Sequence, residues 1–171
     1  MPVIKPQTSA PPLSVSTLAG ETWILHERAP RNFSMIVVYR GLHCPVCKRY
    51  LQELQSKLEE LEALGVEVLA LSTDNEARAR QAQSDWELDK LTLGYGLSID
   101  DARAWGLFIS KSIREGETPM FAEPGLFLIK PDQSVYYIGV CSMPFGRPPI
   151  KDMLGALKYV TENDYPARGT D

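Results

Sequence analysis

The stretch Met35-Ile36-Val37-Val38-Tyr39-Arg40-Gly41-Leu42-His43-Cys44-Pro45-Val46-Cys47 joins an unbroken apolar run to the start of an amphipathic pattern. Continuous apolar and β-branched residues over Met35–Tyr39 predict a strand buried on both faces, as in the middle of a sheet covered by helices. Arg40–His43 reads as a short loop, with Gly41 permitting a tight backbone. From Cys44 to Leu64 the pattern turns helical. Leu51, Leu54, Leu58 and Leu61 recur at steps of three and four with Lys, Glu and Gln between them, and Gly65 suits the helix stop. Val66–Ser72 is a second apolar run. Residues 35–72 therefore predict a βαβ unit with two parallel strands, and the first βα junction carries Cys-x-x-Cys.

Working outward, residues 1–12 hold Pro2, Pro6, Pro11 and Pro12 among small polar residues and read as a mobile or extended arm. Val15–Thr17 and Thr22–Leu25 predict a hairpin around Ala19-Gly20. Thr73 and Asp74 are N-cap candidates for a helix over Asn75–Trp86. Leu91–Ser98 has no decisive pattern. Asp100–Trp105 suggests a short helix capped by Asp100, and Lys111–Pro119 reads as loop. Leu126–Ile129 and Val135–Val140 predict an antiparallel hairpin through Lys130-Pro131-Asp132-Gln133. Ile150–Thr161 predicts a last helix with Met153, Leu154, Leu157 and Val160 inward, and residues 163–171 a frayed tail. The expected organisation is an arm (1–12), one α/β domain (13–162) and a tail (163–171). The domain is a central mixed β-sheet with helices on both faces and an N-terminal β-hairpin. The Cys pair then falls at the C-terminal edge of a central strand, where open α/β sheets form their sites.

The 171 residues, 44% hydrophobic with a net charge of -4, suit one domain with a substantial core. The acidic balance gives no support for nucleic-acid binding. The longest apolar run is too short to span a bilayer. The N-terminus lacks the apolar region of a signal peptide, so a cytoplasmic location is expected. Three cysteines are too few for a disulfide scaffold, and a close pair in a reducing compartment points to catalysis or metal binding.

Cys44, at the helix start, would feel the positive end of the helix dipole, with Lys48 and Arg49 in the next turn. Both effects favour the thiolate and make it the expected nucleophile. Cys47, one turn later on the same side, is the expected resolving thiol, closing a disulfide with Cys44. The plainer reading makes both thiols small core residues. His43 could tune Cys44 or accept a proton, or be a partly exposed loop histidine. Cys141 could form an alternative disulfide or be a strand-end thiol without a role. Trp86, Trp105, Phe108 and Phe121 read as core. A structural zinc site wants four ligands, and one Cys pair with Cys141, His26 and His43 is a poor set, so no metal and no cofactor are expected.

The segment Tyr39–Cys47, the leucine-rich helix and Gly65-Val66-Glu67-Val68-Leu69-Ala70-Leu71-Ser72 resemble the alkyl hydroperoxide reductase/thiol-specific antioxidant family of the thioredoxin-fold superfamily. Within it they resemble a peroxiredoxin-like branch with an Arg-Gly-x-x-Cys-Pro-x-Cys segment. Pro124-Gly125-Leu126-Phe127-Leu128-Ile129 is similar to the family's proline-led strand, and Arg147-Pro148 before the last helix also fits the branch. The resemblance implies a thioredoxin-like fold. It also implies a cis Pro124 facing the Cys pair, with Pro119 as runner-up, and a site role for Arg40, which could equally anchor a carboxylate. Two positions depart from the family. The threonine that peroxiredoxins carry three residues before the reactive cysteine is Gly41 here. The arginine near the later strand is replaced by Glu123-Pro124-Gly125. The expected function is a Cys44/Cys47 redox protein that reduces hydroperoxides. The alternative is a thioredoxin-like disulfide reductase or a redox sensor. Expected partners are a hydroperoxide or disulfide substrate, a thioredoxin-type dithiol donor and a second copy in a homodimer, with neither nucleic acid nor membrane.

Overall fold

A computed structural model describes residues 3–171. The chain begins with β1 (Ser14–Thr17), β2 (Thr22–Ile24), a 3-10 turn (Leu25–Glu27) and β3 (Phe33–Val38). It continues through α1 (Pro45–Ser56), α2 (Leu58–Ala63), β4 (Val66–Leu71), α3 (Glu76–Asp85), β5 (Leu93–Tyr95) and α4 (Ile99–Ala104). β6 (Ile109–Lys111), β7 (Met120–Ala122), β8 (Gly125–Ile129), β9 (Val135–Val140) and α5 (Ile150–Asn163) complete it. Seven strands form one mixed sheet in the order β2-β1-β5-β4-β3-β8-β9, while β6 and β7 make a separate two-stranded ribbon.

β3 lies inside the sheet, parallel to β4 from Phe33↔Val66 to Val38↔Leu71 and antiparallel to β8 from Ser34↔Ile129 to Val38↔Gly125. Every residue of β3 and β8 is buried. Alternation along the pleat splits them between two cores. Met35, Val37, Leu126 and Leu128 join Cys47, Leu51, Leu54, Ala79 and Leu157 under α1, α3 and α5. Ile36, Val38, Phe127 and Ile129 join Ala102, Trp105, Val15 and Trp23 beneath α4 and the first hairpin. The sheet thus needs apolar residues at successive positions, which is why its central strands read as unbroken runs.

Several expectations change in detail. The long helix breaks at Lys57, whose φ of -109° and ψ of 4° separate α1 from α2. Asn75, not Thr73 or Asp74, caps α3 by accepting from the Arg78 N–H at 3.0 Å. Ser98, not Asp100, caps α4 through its hydroxyl oxygen, at 3.0 Å from the Asp101 nitrogen. The undecided Leu91–Ser98 segment contains β5, which closes the gap between β4 and β1. Of the stretch Lys111–Pro119 read as loop, Lys111 ends β6 and the rest connects the two strands of the ribbon. Phe108, read as core, is 51% exposed.

Of the N-terminal arm, residues 3–12 are described. It turns at Pro6–Thr8, with Gln7 at φ 65°, and is held to the start of β9: Gln7 N–H donates to Val135 O, Val135 N–H to Thr8 O and Ala10 N–H to Gln133 O, at 2.8–2.9 Å. The tail returns beside it, with Tyr136 OH donating to Tyr165 O at 2.7 Å and Lys5 Nζ to Thr170 O at 3.1 Å.

Candidate active site

The turn from β3 into α1 places Cys44 as the α1 N-cap, with Pro45 as the first helical residue, where its missing N–H has no bond to lose. The Cys47 N–H donates to Cys44 Sγ at 3.2 Å. A sulfur in this position satisfies an orphan helix donor and receives the positive end of the helix in return. Both thiols are free, and Cys44 and Cys47 are 1% and 0% exposed.

The Cys44 thiol is shifted down from 9.0 to about 6. The hydrogen bond from the Cys47 side chain contributes most, followed among the favourable effects by the Cys47 backbone N–H and the charges of Arg147 and Arg40. Burial opposes them. Cys47 moves the other way, pushed well up by burial and by its hydrogen bond to Cys44. The pair is therefore asymmetric at neutral pH, with the ionised sulfur at the helix end and the proton on the inner one. The cations that act on Cys44 are Arg147, from the segment before α5, and Arg40, four residues before Cys44, in place of the expected Lys48 and Arg49.

Arg147 was visible in the sequence only as part of an Arg-Pro pair. Its Nη2 donates to Cys47 Sγ at 3.2 Å. The guanidinium lies over the Tyr50 ring at 4.5 Å and donates through Nε to Pro144 O at 3.1 Å. Tyr50 OH in turn donates to Pro148 O at 2.6 Å, tying α1 to the loop that precedes α5. A local sequence signal could not reveal a contact spanning 100 residues.

Arg40 takes the carboxylate-anchoring role. Its Nε lies 3.0 Å from Glu123 Oε2, and its guanidinium sits over the Phe121 ring at 4.9 Å. Ser110 donates to Glu123 Oε1 at 2.6 Å, so Glu123, 3% exposed, is neutralised by a partner and a hydroxyl. His43 packs its ring on Phe121 at 4.6 Å, and both ring nitrogens are buried without a hydrogen-bond partner. Burial first, and then the Arg40 charge, lower its pKa, which leaves the imidazole neutral at pH 7. Pro124 follows Glu123 at the same sheet edge. Its carbonyl accepts from the Cys141 N–H at 2.9 Å, and its peptide bond is trans, as are all those among the described residues. The expected cis form at Pro124 is therefore corrected, and the runner-up Pro119 is trans as well. Register accounts for the proline's position: Gly125 already pairs with Val38 and Val140, so Pro124, which has no N–H to donate, precedes the ladder without leaving a gap in it.

Gly41 has a physical reason. Its φ is +136°, and a Cβ there would stand 2.9 Å from both carboxylate oxygens of Asp74. Asp74, 0% exposed, accepts from Leu42 N–H at 2.8 Å and from Arg78 Nε at 2.9 Å, holding the loop that carries the cysteines. A carboxylate thus occupies the space beside this backbone that a side chain at position 41 would need. Cys141 is half-buried, and its thiol donates to Gly146 O at 3.0 Å, outside the Cys44/Cys47 pair.

A thiolate-favouring dithiol at a helix N-terminus, on a thioredoxin-like sheet, defines a thiol-dependent oxidoreductase. The chain belongs to the AhpC/TSA family, whose profile matches residues 6–138. Among solved structures it is similar to peroxiredoxin 6 of Arenicola marina, with a TM-score of 0.80 at 16% identity, over 94% of this chain and 76% of that one. A peroxiredoxin-like protein of Aquifex aeolicus gives a TM-score of 0.75 at 19% identity, over 94% and 90% of the two chains. A reduced peroxiredoxin of Vibrio vulnificus in complex with hydrogen peroxide gives 0.75 at 15%, over 91% and 99%. No curated relative matches the chain significantly.

Proposed function

We propose that this protein is a peroxiredoxin-like peroxidase in which Cys44 is the attacking thiolate and Cys47 the resolving thiol. The Cys44 thiolate attacks the terminal oxygen of a hydroperoxide. The O–O bond breaks, the alcohol or water leaves with a proton from solvent, and Cys44 becomes a sulfenic acid. Cys47 then displaces its oxygen as water, closing a disulfide that an external dithiol of the thioredoxin type reduces by exchange. Arg40, His43 and Pro124 are the supporting residues of the same reading, with Arg40 adding positive charge at the thiolate.

The observation that carries this reading is the burial of both sulfurs beside a stabilised thiolate. A small hydroperoxide reaches such a sulfur more readily than a folded protein disulfide does. The cytoplasm, with its reducing thiol pool, and a homodimer belong to the same proposal.

Stopped-flow tryptophan fluorescence of the reduced protein mixed with hydrogen peroxide tests it. Trp86 packs edge-on against Tyr39 at 5.9 Å, in the same core cluster as the two cysteines, so it is the natural reporter. A fast transient that vanishes in Cys44→Ser is expected. Thiols that stay reduced under peroxide yet oxidise readily with a disulfide substrate would overturn the peroxidase and leave the disulfide reductase.

A further inference from the structure

Closing the disulfide requires Cys47 to give up a proton while buried, and burial opposes ionisation. Arg147 is built to offset this. It reaches Cys47 Sγ at 3.2 Å from the loop before α5, and its guanidinium is fixed by Tyr50 and by Pro144 O rather than swinging freely. No carboxylate is among its hydrogen-bond or ion-pair partners among the described residues, in contrast to Arg40, whose charge Glu123 takes up. Its remaining terminal nitrogen, Nη1, is buried and has no hydrogen-bond partner, which leaves a spare donor beside the sulfur pair. A planar guanidinium that cannot lose its proton suits a site where a thiolate must form in a dry environment.

Resting on the peroxidase reading, we infer that Arg147 is a catalytic residue of the resolving step, the group that turns Cys47 into a nucleophile. In that step Cys47 loses its proton under the pull of the guanidinium, and its thiolate attacks the sulfenic sulfur of Cys44. The S–S bond forms and the S–O bond breaks. The departing hydroxide takes up a proton to leave as water, with the Nη1–H available to the oxygen as charge builds on it. On re-reduction the same contact stabilises Cys47 as the thiolate leaving group.

The test compares wild type with Arg147→Met and Arg147→Lys, using hydrogen peroxide and rapid mixing. In Arg147→Met the second, disulfide-closing phase is expected to slow by about tenfold more than the first, the equivalent of about one pH unit in thiolate at fixed pH. Its pH midpoint should rise, the Cys44 sulfenic acid should accumulate as a dimedone adduct, and Arg147→Lys should recover part of the rate. Equal slowing of both phases, or an unmoved midpoint, overturns the assignment and leaves Arg147 a packing residue. A second arm needs no peroxide chemistry. In a Cys44→Ser background, the pH profile of Cys47 alkylation, read peptide by peptide so that Cys141 is counted apart, should move upward when Arg147→Met is added. An unreactive wild type with a shifted alkylation profile would sink the peroxidase reading while sustaining the Arg147–Cys47 coupling. An unshifted profile sinks the Arg147 inference whatever peroxide does.

Discussion

Gly41 decides more about this site than its size suggests. Its backbone is in a region that side chains rarely adopt, and the space a Cβ would take is filled by the buried Asp74 carboxylate. Restoring the family's threonine should therefore not restore its chemistry. We expect Gly41→Thr to lower unfolding free energy by about 1–3 kcal/mol from backbone strain, with more from the clash, and to slow the peroxide transient. Chemical denaturation with stopped-flow kinetics reads both, and a faster transient without loss of stability would contradict the packing argument. The two arginines teach a related lesson. Arg40, next to the motif, is taken up by Glu123, whereas Arg147, 100 residues away, touches the sulfur.

At the scale of elements, the central βαβ unit was legible because its residues obey local rules. Runs of apolar residues make doubly covered strands, a three-and-four leucine repeat makes α1, and Gly65 at φ +72° ends α2. Short elements were missed for the opposite reason. β5 has three residues and owes its strand form to the partners on each side, and β6–β7 is a ribbon outside the main sheet. The α3 cap was displaced by one residue from Asp74 because that carboxylate is buried and committed to Leu42 and Arg78, which leaves Asn75 to serve the helix end. Asn75→Ala should accordingly cost about 1 kcal/mol in urea unfolding, while Thr73→Ala should stay within about 0.5 kcal/mol. The reverse order would mean that the cap has been assigned to the wrong residue.

For the whole molecule, the depressed Cys44 pKa links redox chemistry to folding. Cys44 is an acid whose folded value, about 6, lies below its ordinary value of 9.0. The folded state therefore binds fewer protons than the unfolded state between those values. The stabilisation is fully present above about 9 and is lost as pH falls through about 6. Reduced wild type should gain stability relative to Cys44→Ser as pH rises from 6 to 9, measured by denaturant midpoints at each pH. Parallel curves would mean that Cys44 ionises like a free thiol. The effect belongs to the assembled molecule, since it depends on a helix end, a neighbouring thiol and two arginines from distant segments.

By itself, the sequence determined the α/β class, the buried parallel pair β3 and β4, the β8–β9 hairpin, the amphipathic helices and the Cys-x-x-Cys at a βα junction. Each follows from residue types and spacings within a few turns of chain. Tertiary structure alone decided which charges meet the thiols, which of Arg40's two possible partners it takes, why position 41 lacks a side chain, and that Pro124 is trans. It also showed that the N-terminal arm and the tail lie against the start of β9. These are contacts between residues tens to hundreds of positions apart, and Coulomb and packing forces act on distance in space, about which local periodicity carries no information.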